Sequence, residues 1–239
     1  MIPRNIYVTI MLKHIISIIL VITSYSAFAS NTCLIIANGS FDKKLVLNLI
    51  NKKPTIVALD GAANNLIRTN IVPDYILGDF DSISDHAENY FKNKDVPFIS
   101  TPDQNHTDLE KGVLFCKEKG AKEILITCAL GGDRTDHLFG NLSLLRRQYD
   151  KTKTTKIQIL TNGEVIEFLK NETIEFTAPK GEKFGLFGFP KATASSKGLM
   201  WELDNYPLEL GFKESSCNIL KDSEVQITVK GEALMIRPL

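Results

Sequence analysis

Gly78-Asp79-Phe80-Asp81-Ser82 sets two carboxylates two residues apart, directly after an apolar run. If that run is a strand and its geometry persists, alternate side chains point the same way. Carboxylates held close repel each other, and a divalent cation relieves the conflict. Magnesium takes one or two carboxylates and fills its octahedron with water and phosphate oxygens. A single pair of this kind also serves as a solvated turn in which Asp79 caps the next helix. Three further segments shift the balance. Asp60 ends another apolar run, and Gly61, Ala62, Ala63 and Asn64 follow it, small residues that let a ligand approach the backbone. Thr107-Asp108-Leu109-Glu110-Lys111 opens a helix. There Asp108 can cap or face a metal, and Lys111 can reach phosphate beside amides that favour anions. Gly131-Gly132-Asp133-Arg134-Thr135-Asp136-His137 follows a fifth apolar run. Arg134 offers a planar fork suited to phosphate, and Asp136 adds a further carboxylate. His137 can orient Asp136, contact a nucleotide or satisfy a buried polar group, with the orienting role favoured. Four acidic loops in one region point to magnesium-dependent phosphate chemistry.

The elements that must position these loops alternate. CLIIA (33–37), TIVALD (55–60), the run inside VPDYILGDFDS, PFIST (97–101) and EILITCAL (123–130) read as strands. Helical spacing covers 41–51, NNLIRTN, Leu109 to Lys119 and HLFGNLSLLRRQ. Alternating strands and helices predict an α/β domain with a mostly parallel sheet, which binds ligands at the carboxyl ends of its strands. After the polar linker KTKTTK the texture changes to IQILT, EVIEFL, ETIEFTA, KFGLFGF, GLMWELD and EVQITVKG without intervening helices. That pattern predicts an all-β second domain, a sandwich or barrel. The expected division is a leader at 1–30, a catalytic α/β domain at 31–150 and a β domain at 153–239.

The bulk numbers exclude some functions. Lys+Arg and Asp+Glu each count 28, so no basic surplus exists to bind nucleic acid by bulk electrostatics. Four widely spaced cysteines form no C-x-x-C pair. Cys33 and Cys128 read as small buried hydrophobes in a reducing compartment. The four histidines make no zinc spacing, so carboxylates must hold any metal. Residues 1–30 combine Arg4 and Lys13, the apolar Ile15–Ile22 and Ala27-Phe28-Ala29, the outline of a secretory signal or anchor. Chemistry on an intracellular nucleotide at the acidic loops would oppose export and favour the cytoplasm, with 1–30 an extension outside the fold, and membrane association is expected only if that segment is retained as an anchor.

Beyond these readings, the chain resembles the thiamine pyrophosphokinase family over about residues 33–238. The resemblance rests on ANG (37–39), LDGAANNL (59–66), PDYILGDFDSI (73–83), TPDQNHTDLEKG (101–112), GGDRTDHLFGN (131–141), GLMWEL (198–203) and SSCN (215–218). It implies a homodimer with shared active sites, transferring the diphosphate of ATP to thiamine and leaving AMP. By position it implies Asp79, Asp81 and Asp108 as magnesium ligands. Asp60, Gly61, Asn64, Lys111, Arg134, Asp136 and His137 would position ATP. Gln104, Trp201, Ser216 and Asn218 would contact thiamine. Asp133 and Cys217 depart from the family pattern, the latter replacing the last Ser of S-x-S-N.

Two other functions share these residues. A magnesium-dependent nucleotide phosphotransferase or hydrolase with another substrate would use the same acidic loops. A non-catalytic thiamine-binding protein would bind without forming AMP, and it has no need for four acidic loops.

Overall fold

The computed structural model describes residues 30–103, 105–132, 134–149 and 154–239. The N-terminal leader up to residue 29, Gln104, Asp133 and residues 150–153 of the linker lie outside them. Six strands form a parallel sheet: β1 (Thr32–Ile36), β2 (Thr55–Leu59), β3 (Tyr75–Gly78), β4 (Phe98–Ser100), β5 (Glu123–Thr127) and β6 (Lys156–Leu160). Runs such as TCLII and TIVAL are apolar after their first threonine because a parallel sheet is covered on both faces.

Two cores result. Leu34, Ile36, Ile56 and Ala58 pack with Leu45, Val46 and Leu49 of α1 (Lys43–Ile50), Leu66 of α2 (Ala63–Ile67), and Ala87 and Phe91 of α3 (Asp85–Lys92). Cys33, Ile35, Val57 and Leu59 face the other way, onto Leu109, Val113 and Cys116 of α4 (Asp108–Glu118) and Leu144 and Leu145 of α5 (Thr135–Arg147). This division follows from right-handed crossovers. The chain steps from β1 out to β4, then returns to place β5 and β6 on β1's other side, so its helices change faces. The reversal at β1 and β5 opens the crevice in which such sheets bind ligands.

The sheet does not stop at the linker. β6 is parallel to β5, so IQILT belongs with the α/β strands rather than with an antiparallel domain. β7 (Glu164–Thr177) then turns back on β6 and carries the sheet into β11 (Glu224–Pro238), β8 (Lys183–Lys197) and β10 (Glu214–Ile219), with β9 (Tyr206–Glu209) on β8. EVIEFL and ETIEFTA form one strand, not two. A third core, with Phe184, Leu186, Leu199, Ile227 and Met235, fills this antiparallel part.

Three further expectations change. GLMWEL is a loop between β8 and β9 whose backbone meets the end of β10 only through the Leu199–Leu220 bridge and the Met200 amide, because Gly198 has φ 95 and the side chains of Glu202 and Asn218 satisfy the Leu199 and Trp201 amides. The helix α3 joins β3 to β4, with Ser84 accepting from the Ala87 amide as its cap. Cys33 is not an unpaired hydrophobe: its sulfur is bonded to that of Cys116, joining β1 to α4. Cys128 is buried and free, as expected. Among the described residues, no helix is long and apolar enough to cross a membrane.

Candidate active site

Asp60, Asp79 and Asp81 converge at the carboxyl ends of β2 and β3, each offering an oxygen within 4.8 Å of the others. Strand geometry does not bring them together. β3 ends at Gly78, and Phe80 takes a left-handed φ of 67° between the two acids. For a residue with a Cβ that conformation costs about 1–3 kcal/mol, and the Phe80 ring packs edge-on against Phe98, with centroids 5.4 Å apart. Asp60 also has positive φ, 41°. A Cβ on Gly78 would stand 2.9 Å from that of Asp60, so the glycine makes the room in which Asp60 sits.

The acid loop is fastened from below. Asp60 Oδ2 accepts from the Ser82 amide at 3.2 Å. Asn64 donates to Ser82 O at 2.9 Å, and its Oδ1 accepts from the amide and hydroxyl of Ser84. In this arrangement Asn64 is engaged with the loop that carries the acids, and Gly61 is buried beneath them. Burial, then the nearby Asp81 and Asp108, push the Asp60 carboxyl up to about 6 against the pull of the Ser82 amide. Asp60 Oδ1 is buried with no hydrogen-bond partner. A crowded acidic trio with an orphaned oxygen suits a hard divalent cation such as magnesium.

Asp108 lies outside that trio. It opens α4, whose cap Thr107 accepts from the Glu110 amide, and accepts from Lys111 Nζ at 3.2 Å. Lys111 is nearly buried and also donates to Thr101 O at 2.9 Å. The Thr101 hydroxyl is a second buried polar group with no partner at this edge. No sequence signal beyond its place at the end of a strand marks it.

Arg134 and Asp136 stand at the end of β5, across β1 from β2. They form a two-pronged pair, Nε to Oδ1 at 2.9 Å and Nη2 to Oδ2 at 2.6 Å, with both side chains exposed. The guanidinium holds the Asp136 carboxyl far below its usual range. His137 is exposed in the first turn of α5.

The remaining residues sit elsewhere. Trp201 is 60% exposed in the loop after β8, and Ser216 is exposed on β10. Asn218 is buried beneath Trp201 and hydrogen-bonds to its backbone. Cys217, exposed, has φ 60 where the β10 register shifts. Between β10 and β2 stand β8, β11, β7, β6, β5 and β1, so one chain does not bring this group to the acids by way of its sheet.

Residues 46–159 match the family model for the thiamin pyrophosphokinase catalytic domain, and 167–234 match that for its vitamin B1 binding domain. Thiamine pyrophosphokinase 1 of Arabidopsis thaliana is 32% identical over 181 residues, 70% of this chain and 66% of that one. The chain thus spans about two thirds of that plant relative's length. Thiamin pyrophosphokinase 1 of Caenorhabditis elegans is 31% identical over 194 residues, covering 74% of this chain and 76% of that one. Among solved structures, thiamine pyrophosphokinase from Bacillus subtilis superposes with a TM-score of 0.76 at 22% identity, covering 87% of this chain and 98% of that one. The yeast enzyme superposes at 0.75 with 19% identity, over 89% and 87% of the two chains. This chain belongs to the thiamine pyrophosphokinase family, whose reaction moves the diphosphate of ATP onto thiamine.

Proposed function

We propose that this chain transfers the β,γ-diphosphate of ATP to the hydroxyl of thiamine, giving thiamine diphosphate and AMP. The observation that carries the reading is the convergence of Asp60, Asp79 and Asp81 at one sheet edge, with Asp108 and the nearly buried Lys111 on the next helix. These three acids would hold magnesium, which when bound supplies charge neutralisation at the phosphate oxygens. Lys111 and Arg134 contribute fixed positive charge, the guanidinium as a fork that leaves Asp136 for phosphate. Diphosphate transfer asks the protein for positioning and charge stabilisation more than for covalent chemistry. We assign the proton of the attacking hydroxyl to Asp108, because that acid stands outside the crowded trio.

Thiamine would lie against Trp201, whose exposed face suits a thiazolium cation, an attraction of about 0.5–2 kcal/mol. Seven strand steps separate β10 from β2 along the sheet, roughly 34 Å at about 4.8 Å each. No thiamine molecule reaches that far, so we propose a homodimer in which one protomer's acids meet its partner's Trp201.

The test is product analysis with the full chain, ATP, magnesium and thiamine. Thiamine diphosphate and AMP in equal amounts, lost on chelation, are expected. ATP consumption with no thiamine product would mean another acceptor or hydrolysis, and thiamine binding without AMP would mean a binding protein.

A further inference from the structure

Asn218 grips both ends of the Trp201 peptide. Its Oδ1 accepts from the Trp201 amide at 3.2 Å, and its Nδ2 donates to Trp201 O at 2.8 Å. The same Oδ1 accepts from the Ile219 amide at 2.9 Å, and Nδ2 also reaches Ser215 Oγ at 3.3 Å. With 3% of its surface exposed, Asn218 has its amide fully occupied inside the protein. Glu202 secures the other side of the loop. Its Oε1 accepts from the amides of Gly198 and Leu199 at 2.7 and 3.2 Å, and its Oε2 accepts from the Ser196 hydroxyl. Ser196 Oγ in turn accepts from the Leu203 amide at 2.8 Å. Leu199 and Leu203 anchor the loop in the core while Met200 and Trp201 face outward.

We infer that Asn218 and Glu202 are positioning residues that hold the Trp201 indole ready for its ligand, a planar organic cation, without touching that ligand. Backbone amides in a loop need partners, and here two side chains supply them. A ring fixed before binding loses less freedom when the ligand arrives. The inference rests on Trp201 as the thiamine contact, and it moves Asn218 from contact to support.

Trp201 is the only tryptophan in the sequence, so indole emission, excited selectively over the tyrosines, reports this loop alone. The experiment compares the full chain with Asn218→Ala, Asn218→Asp, Glu202→Ala and Glu202→Gln. It follows time-resolved indole anisotropy, quenching by thiamine, and steady-state kinetics, with far-UV circular dichroism to check folding. Losing two loop hydrogen bonds should raise the KM for thiamine about tenfold in both alanine variants, add a fast anisotropy component and leave the KM for ATP unchanged. Glu202→Gln keeps the acceptor oxygen and should restore both readouts, while Asn218→Asp, which sets a buried carboxylate oxygen against Trp201 O, should be impaired at least as much as Asn218→Ala. Glu202 is exposed, so Glu202→Ala keeps the test open if Asn218→Ala fails to fold. Wild-type anisotropy and thiamine KM in Glu202→Ala and Asn218→Asp, with quenching intact, would overturn the positioning role alone. Wild-type emission that ignores thiamine while product forms would instead overturn Trp201 as the contact.

Discussion

The Ser82 amide donates to Asp60 Oδ2 at 3.2 Å, tying the loop after β3 to the carboxylate that ends β2. Two segments 22 residues apart thus share one acid, and neither can shift without the other. Asn64 doubles the link from α2. The loop that carries Asp79 and Asp81 is therefore tied to Asp60 before any cation arrives, which lowers the reorganisation that binding requires.

Gly78→Ala tests the packing behind this arrangement. The added Cβ would stand 2.9 Å from that of Asp60, between two parallel strands that cannot part freely. Overpacking of this kind costs about 1–3 kcal/mol. Urea unfolding should show that loss, and turnover should fall further than stability because Asp60 is displaced.

Magnesium should raise the melting temperature of the wild-type chain, since it binds the folded state and has no formed site in the unfolded one. Asp79→Asn should remove most of that shift and lower turnover about 100-fold, with an unchanged far-UV spectrum. A full magnesium shift and wild-type turnover in the variant would remove Asp79 from the metal site.

Glu232 on β11 joins α5 to the antiparallel strands by accepting from Arg146, at 2.7 Å, and from Lys170. The Lys170 ammonium first, then the Arg146 guanidinium, hold its carboxyl below the usual range. A depressed carboxylate contributes stability above its unfolded pKa and loses it as pH falls through the folded value. Unfolding free energy should therefore drop below about pH 4.5, and Glu232→Gln should be less stable near neutrality but lose less through that window. Parallel acid limbs for the two proteins would contradict this role.

A site shared between copies predicts complementation. Asp79→Asn and Trp201→Ala, each weakly active alone, should regain activity when mixed and allowed to exchange subunits, because one combination carries an intact pair. Activity that stays at the average of the two would place acids and indole in the same protomer's site.

Much of the α/β half was legible because its signals are local. TCLII and TIVAL can hardly be anything but buried strands, and each acidic loop follows such a run. The way Asp79 and Asp81 meet was not legible, since it depends on a left-handed Phe80 that only the packing against Phe98 explains. GLMWEL misled because Leu199, Met200, Trp201 and Leu203 make an apolar run that reads as a strand, yet Met200 and Trp201 are exposed and only the two leucines are buried, as anchors of a loop. The pairing of β6 with β5 depends on contacts across the sheet, and nothing inside IQILT encodes a direction. Cys33 and Cys116 lie 83 residues apart, a separation that sequence alone does not bridge.

The most direct test of diphosphate transfer follows the γ-phosphorus of labelled ATP during turnover with thiamine and magnesium. The label should appear in the terminal phosphate of thiamine diphosphate, with one AMP released for each product and no ADP. Label in thiamine monophosphate together with ADP, or in free phosphate, would contradict the account.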